Sequence, residues 1–115
     1  MSTASGIDDT LAALADPTRR AVIDLLRQRP RRAGELADEL SLLPPAMSRH
    51  LRVLRTHGLV EEEHGGDDAR VRTYRLRPER FAELRAWIDD VERFWGGQLD
   101  AFKRHAEAQA RKKRT

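Results

Sequence analysis

The sequence predicts a mainly α-helical fold with one small β-hairpin and a long closing helix. Three stretches carry that reading. Residues 44–57, PPAMSRHLRVLRTH, repeat apolar side chains at helical spacing, with basic and small polar residues between them. Residues 59–76 hold two strand-like runs around GGDDA at 65–69, a hairpin loop signal. From Pro78 onward, apolar residues return in steps of four and three, the seam of a coiled-coil-like helix.

Size and composition bound the rest. A chain of 115 residues suits one domain that buries a core without staples. It has no cysteine, which excludes disulfides and thiolate metal sites and suits a reducing cytoplasm, the expected location. No apolar run approaches a membrane span and no secretory pattern opens the chain, so no membrane partner is expected. The net charge of +3 is unevenly spread. Residues 103–115, KRHAEAQARKKRT, hold six Lys/Arg and one Glu, whereas the remainder has 16 bases and 18 acids. Affinity for a polyanion must then come from local patches.

Residues 1–6 are expected to be a disordered start. Ile7, Leu11 and Leu14 mark a first helix by their i, i+4, i+7 spacing. Asp16-Pro17 restarts the chain, with aspartate as N-cap and proline at the first helical position. That second helix runs to about Gln28 and buries Val22, Ile23, Leu25 and Leu26. Pro30 ends it. Arg27, Arg29, Arg31 and Arg32 form a basic cluster around the proline, predicted as solvated surface, with a phosphate contact from Arg31 or Arg32 as the second reading. A third helix over about 33–40 turns Leu36 and Leu40 inward, and Ser41–Leu43 make a tight turn.

The 44–57 helix follows. Met47, Leu51 and Leu54 form its apolar stripe; Ser48, Arg49, Arg52, Arg55 and Thr56 take the opposite half of the wheel. No acid occurs between residues 40 and 60. Such a face suits a polyanion, because arginine binds phosphate or grips the major-groove edge of guanine with two hydrogen bonds. Gly58 fits a left-handed C-terminal cap. Helix, short turn, basic helix is the helix-turn-helix plan.

The hairpin that follows is then a wing. On its return strand Arg72, Tyr74 and Leu76 share one side, and Val71, Thr73 and Arg75 the other. Arg70 and Arg72 sit where a wing reaches the minor groove. Glu61, Glu62 and Glu63 would repel DNA, which leaves the tip and the return strand as contacts. In the last helix Leu84, Ile88, Val91, Trp95, Leu99 and Phe102 form the seam, widened by Trp87 and Phe94. Thirty residues would reach about 45 Å, with more apolar surface than so small a body covers. A second copy of the chain is the economical partner. Gly96-Gly97 interrupts the helix, as a kink or as a place for close helix approach. The domain is expected over 7–107, with 108–115 as a basic tail.

LADPTRRAVIDLL at 14–26, GELADEL at 34–40 and PAMSRHLRVLRTHGLVEEE at 45–63 resemble the ArsR/SmtB family of bacterial winged-helix repressors. With the wing and final helix, the resemblance covers roughly residues 8–105. Phe94-Trp95 followed by LDAF at 99–102 is similar to a subgroup without an evident metal site. The resemblance implies a winged helix-turn-helix homodimer that represses transcription by occupying an operator in double-stranded DNA. Ser48, Arg49, His50 and Arg52 match the groove-facing segment, and Arg70 and Arg72 the wing; Pro45, Arg55 and Thr56 complete the predicted DNA contacts. First and last helices would form the interface, through Leu11, Leu14, Leu84, Ile88, Val91, Trp95, Leu99 and Phe102. Leu43 and Pro44 depart from the pattern: a cap hydrogen bond of about 1 kcal/mol is missing, and one base reader is lost.

Other classes fit less well. The family's metal site on the third helix needs cysteine. Asp89, Asp90, Glu92, His105 and Glu107 are the remaining ligand candidates, but His105 and Glu107, two apart, share no helix face. No metal or other cofactor is expected. Ser48 and His50 are also two apart and cannot pair, and no Gly-rich phosphate loop or nucleophile elbow appears, so no enzyme is expected. Two alternatives stand beside the repressor. One is a protein-interaction module that docks an acidic partner on the basic face. The other is a repressor released by a small-molecule effector held among Trp87, Phe94 and Trp95.

Overall fold

In the computed structural model the chain runs α1 (Thr3–Leu14), α2 (Pro17–Leu26), β1 (Arg31–Arg32), α3 (Ala33–Glu39), α4 (Pro44–Thr56), β2 (Val60–His64), β3 (Arg72–Leu76) and α5 (Pro78–Arg114). The structure describes residues 3–65 and 71–114; hairpin-loop positions 66–69 and Arg70, predicted to touch DNA, lie outside the described residues. The architecture is a winged helix-turn-helix, mainly α, with a small antiparallel sheet and a long final helix. Two compact units divide the chain: Met1–Leu84, with the helix-turn-helix and the sheet, and Arg85–Thr115, the greater part of α5.

Helix α1 begins at Thr3, inside the stretch expected to be disordered. Its buried face is Ile7, Thr10 and Ala13, whereas Leu11 is exposed and Leu14 packs half-buried against the core. Period alone pointed to Leu11. The core instead takes Thr10, whose hydroxyl donates to the Gly6 carbonyl at 2.9 Å and so enters without an unpaired polar atom.

The Asp16–Arg20 run closes one helix while opening the next. Asp16 Oδ1 accepts from the Thr18 and Arg19 amides at 2.8 and 3.1 Å, and Pro17 takes the first turn. Arg19 Nε donates to the Ala13 carbonyl at 2.6 Å, and Arg20 Nη1 to that of Leu14 at 2.7 Å. The last carbonyls of α1 would otherwise lack partners.

Helices α3 and α4 both end in the same device. The Ser41 and Leu42 amides donate back to the Asp38 and Ala37 carbonyls, and the Gly58 and Leu59 amides to those of Arg55 and Leu54. Each end is a Schellman motif, which needs a left-handed residue after the cap. Gly58 supplies it at φ 75°, and Ser41 at φ 54°. At the second end Leu54 and Leu59, the pair this motif brings together, are both fully buried. Beneath the two helices lies one core, built from Val22 and Leu26 of α2, Leu36 and Ala37 of α3, Met47, Leu51 and Leu54 of α4, with Leu59 and Val60.

The expected two-stranded ribbon is a three-stranded sheet, ordered β1-β3-β2. The added strand is Arg31–Arg32, which pairs antiparallel with Tyr74 and Thr73. Two residues carry no alternation, so no sequence pattern marked it. This placement corrects the reading of Arg31 as solvated or phosphate-bound. Its side chain is 8% exposed; Nη2 donates to Gln28 Oε1 at 2.8 Å and Nη1 lies 3.8 Å from Glu39. Arg32 stays exposed, and its amide donates to Glu35 Oε1, which starts α3.

Helix α5 opens at Pro78 with Glu79 in its first turn and packs Phe81 against the core. It stays helical through Gly96 and Gly97, where an added Cβ would meet no atom within 4 Å. The helix also continues through the basic run to Arg114, which the sequence suggested was a tail beyond the domain. Over the second unit Trp87, Ile88, Phe94, Trp95, Leu99 and Phe102 stand exposed.

A non-glycine residue in the left-handed region costs roughly 1–2 kcal/mol. Ser41→Gly removes that cost but loosens the unfolded chain by about 0.4–1 kcal/mol. The expected outcome in thermal denaturation is a rise in Tm of about 2–4 °C; Ser41→Val should lower it.

Candidate nucleic-acid interface

The apolar stripe of α4 fixes where its other side points. Met47, Leu51 and Leu54 are buried, and Ser48, Arg49, Arg52, Arg55 and Thr56 are all exposed, as the wheel predicted; Pro45 is exposed as well. Among the described residues Arg49 and Arg52 have no acid within ion-pair distance. Their charge is uncompensated and faces solvent.

The N-terminal tip of α4 is apolar. Leu43, the N-cap residue, makes no side-chain cap bond and is 76% exposed. Pro44 and Pro45 have no amide N–H, so this tip has fewer free donors than an ordinary helix start.

The wing brings its charges to α4 in a way the sequence reading did not anticipate. Glu62 lies opposite Tyr74 in the β2–β3 ladder, on the same side as Arg72. Arg55 Nη1 donates to Glu62 Oε2 at 2.5 Å, and Arg72 Nη1 lies 3.3 Å from Glu62 Oε1. One carboxylate therefore joins the recognition helix to the return strand. Burial and the adjoining Glu62 charge raise the Tyr74 phenol above its ordinary value. On the other face of the sheet Arg75 pairs with Glu61 and Glu63, and Arg77 approaches Glu61 at 3.8 Å. The three consecutive glutamates, expected only to repel DNA, are paired with arginine. Strand alternation carried that signal: residues 62, 72 and 74 share one face, and residues 61, 63 and 75 the other.

A family model described as "Bacterial regulatory protein, arsR family" matches residues 16–62, from the α2 cap into the second strand. The HTH-type transcriptional regulator Rv2034 of Mycobacterium tuberculosis is 41% identical over 102 residues, which cover 89% of this chain and 90% of that one. The chain belongs to the arsR family. It is a regulator of transcription, not an enzyme. The transcriptional repressor SdpR of Bacillus subtilis is 30% identical over 60 residues, covering 52% of this chain and 67% of SdpR. An ArsR-like transcriptional regulator from Rhodococcus sp. RHA1 has a TM-score of 0.75 at 26% identity, covering 90% of this chain and 95% of its own.

In this ArsR-family chain His50, predicted as a DNA contact, turns partly inward. Its Nδ1 lies 3.5 Å from Arg19 Nη1, and Arg19 also sits 3.9 Å from Asp16. The pair braces α4 against the start of α2. His57 closes the other end of α4, with Nδ1 3.9 Å from Asp9 of α1. His64 is exposed on the wing. Among the described residues no group of three or more His, Asp or Glu could hold a metal ion, and no helix is long and apolar enough to cross a membrane.

The backbone hydrogen bond from Arg19, and then that from Thr18, hold the Asp16 carboxyl below its ordinary value of 3.8. A carboxyl so lowered stabilises the fold above its unfolded pKa, and the contribution fades as pH falls through the folded one. Asp16→Ala should lower Tm at neutral pH, with the gap to the unaltered chain closing in strong acid. Asp16→Asn, which keeps an acceptor, should show a smaller gap at neutral pH. Thermal melts by circular dichroism across that range check both.

Proposed function

We propose that the protein is a homodimeric repressor whose α4 helices enter the major groove at two halves of an inverted-repeat operator. The observation that carries this is the uncompensated pair Arg49 and Arg52 on the exposed face of a helix held rigidly from behind. Guanidinium groups so placed reach guanine edges or phosphates, and Ser48 beside them donates or accepts at a base edge. The exposed Leu43 tip offers only van der Waals contact, which matches the methyl group of thymine. Arg72 on the return strand is the wing's candidate phosphate contact; Arg32, exposed on β1, belongs to the opposite face of the sheet. Two-fold symmetry sets the half-sites about one DNA turn apart.

The dimer rests on the apolar face of α5. Fully burying one large side chain yields about 1.5–3 kcal/mol, and the six residues, 40–72% exposed in one copy, leave that apolar surface for a second copy to cover. Leu11 of α1, also exposed, belongs to the same class of uncovered apolar residue. Exposure of Trp87, Phe94 and Trp95 favours this use over an effector pocket, which would need walls around them.

A mobility-shift titration against the duplex upstream of the chain's own gene tests the reading. Arg52→Ala should weaken operator binding by about 1–3 kcal/mol, roughly 5- to 150-fold, with a smaller loss on random duplex. An equal loss on both would make Arg52 a phosphate contact. In sedimentation velocity the unaltered chain should run as a dimer. Trp95→Glu with Phe102→Glu should run as a monomer and lose operator binding while keeping its melting transition.

A further inference from the structure

We propose that Glu62 is a specificity-determining residue: it fixes the wing to α4 through Arg55 and withholds arginine charge from DNA of arbitrary sequence. This rests on the DNA-binding reading above. Glu62 is 13% exposed, whereas Arg55 and Arg72 are 52% and 62% exposed. Its backbone is paired in the ladder opposite Tyr74, and its largely buried side chain, bonded by Arg55, has little room to swing aside when a phosphate approaches.

The two bonds are unequal. Arg55 donates a short, aligned hydrogen bond to Oε2. Oε1 faces Arg72 at 3.3 Å but accepts no hydrogen bond, although it is buried. Arg55 is therefore a strut between helix and wing. Arg72 is held by charge alone and can pass to a phosphate at lower cost. The three groups together present one positive charge instead of two.

That arithmetic matters because attraction to any duplex depends on how many phosphates are neutralised. Contacts to bases do not depend on it in the same way. A fixed carboxylate beside the contact face subtracts from binding that every sequence shares. It leaves Arg49 and Arg52, outside the trio, to act on the sequence in the groove. The same carboxylate sets the spacing of wing and helix, which operator binding needs and random binding does not.

The test measures affinity for random duplex and for the selected operator across a salt series, by fluorescence anisotropy, using the full chain. With Glu62→Gln the logarithmic salt slope on random duplex should steepen by about 0.9, and affinity at physiological salt should rise about fivefold. Operator affinity should change less, so the ratio of operator to random binding falls. Glu62→Asp, which keeps the charge, should keep the original slope. Arg72→Ala added to Glu62→Gln should remove most of the gain. A slope unchanged by Glu62→Gln overturns the role of Glu62 while leaving DNA binding intact; failure of the unaltered chain to bind any duplex overturns the reading beneath it. If Glu62→Gln does not fold, guanidinium NMR signals of the unaltered chain decide the matter. On adding random duplex the Arg49 and Arg52 signals should shift, while those of Arg55 and Arg72 should shift less. A shift of Arg55 or Arg72 as large as that of Arg52 overturns the role of Glu62.

Discussion

The burial of Met47, Leu51 and Leu54 against α2 and α3 governs what the rest of the protein can do. Each contributes about 1.5–3 kcal/mol of transfer free energy, and together they fix the rotation of α4 about its axis. Turned by a third, the helix would bury arginine and expose leucine. The Schellman ends of α3 and α4 complete the constraint. The first sets the angle between the two helices, and the second feeds Leu59 and Val60 straight into the core and launches the sheet.

Charge is arranged around that constraint by subtraction. Outside residues 103–115 the chain has 18 acids for 16 bases, and the acids are placed selectively. Arg55, Arg72, Arg75 and Arg77 each meet a glutamate, Arg31 is buried beside Glu39, and Arg29 reaches Glu35 at 3.2 Å. Among the described residues Arg49 and Arg52 meet no acid, whereas Arg55, in the same acid-free stretch, is reached by Glu62 across the strand register. The proposed contact face is thus defined as much by where glutamate is absent as by where arginine is present.

Much of this was legible in the sequence. The two sides of α4 followed from its spacing, the start of α2 from Asp16-Pro17, and the end of α4 from Gly58, because each depends on neighbours within four residues. What escaped depends on residues far apart. Strand β1 is two residues long and exists only because β3 lies beside it. Arg31 looked like its exposed neighbours until that pairing buried it. His50 could not be assigned without Arg19, and Arg55 could not be separated from Arg49 and Arg52 without the register that brings Glu62 beneath it. Ser41 hid a left-handed residue because the usual marker, glycine, is missing there.

Gly96 and Gly97 have a consequence for the second unit. Each costs a helix about 1 kcal/mol relative to alanine, and they sit among Phe94, Trp95 and Leu99, which stand in solvent. A single helical segment with that composition holds its order only weakly by itself. In the proposed dimer, completing the middle of α5 and covering its aromatic side chains by a second copy become one event. Dilution would fray that segment first, while the first unit, with its own core, stays intact.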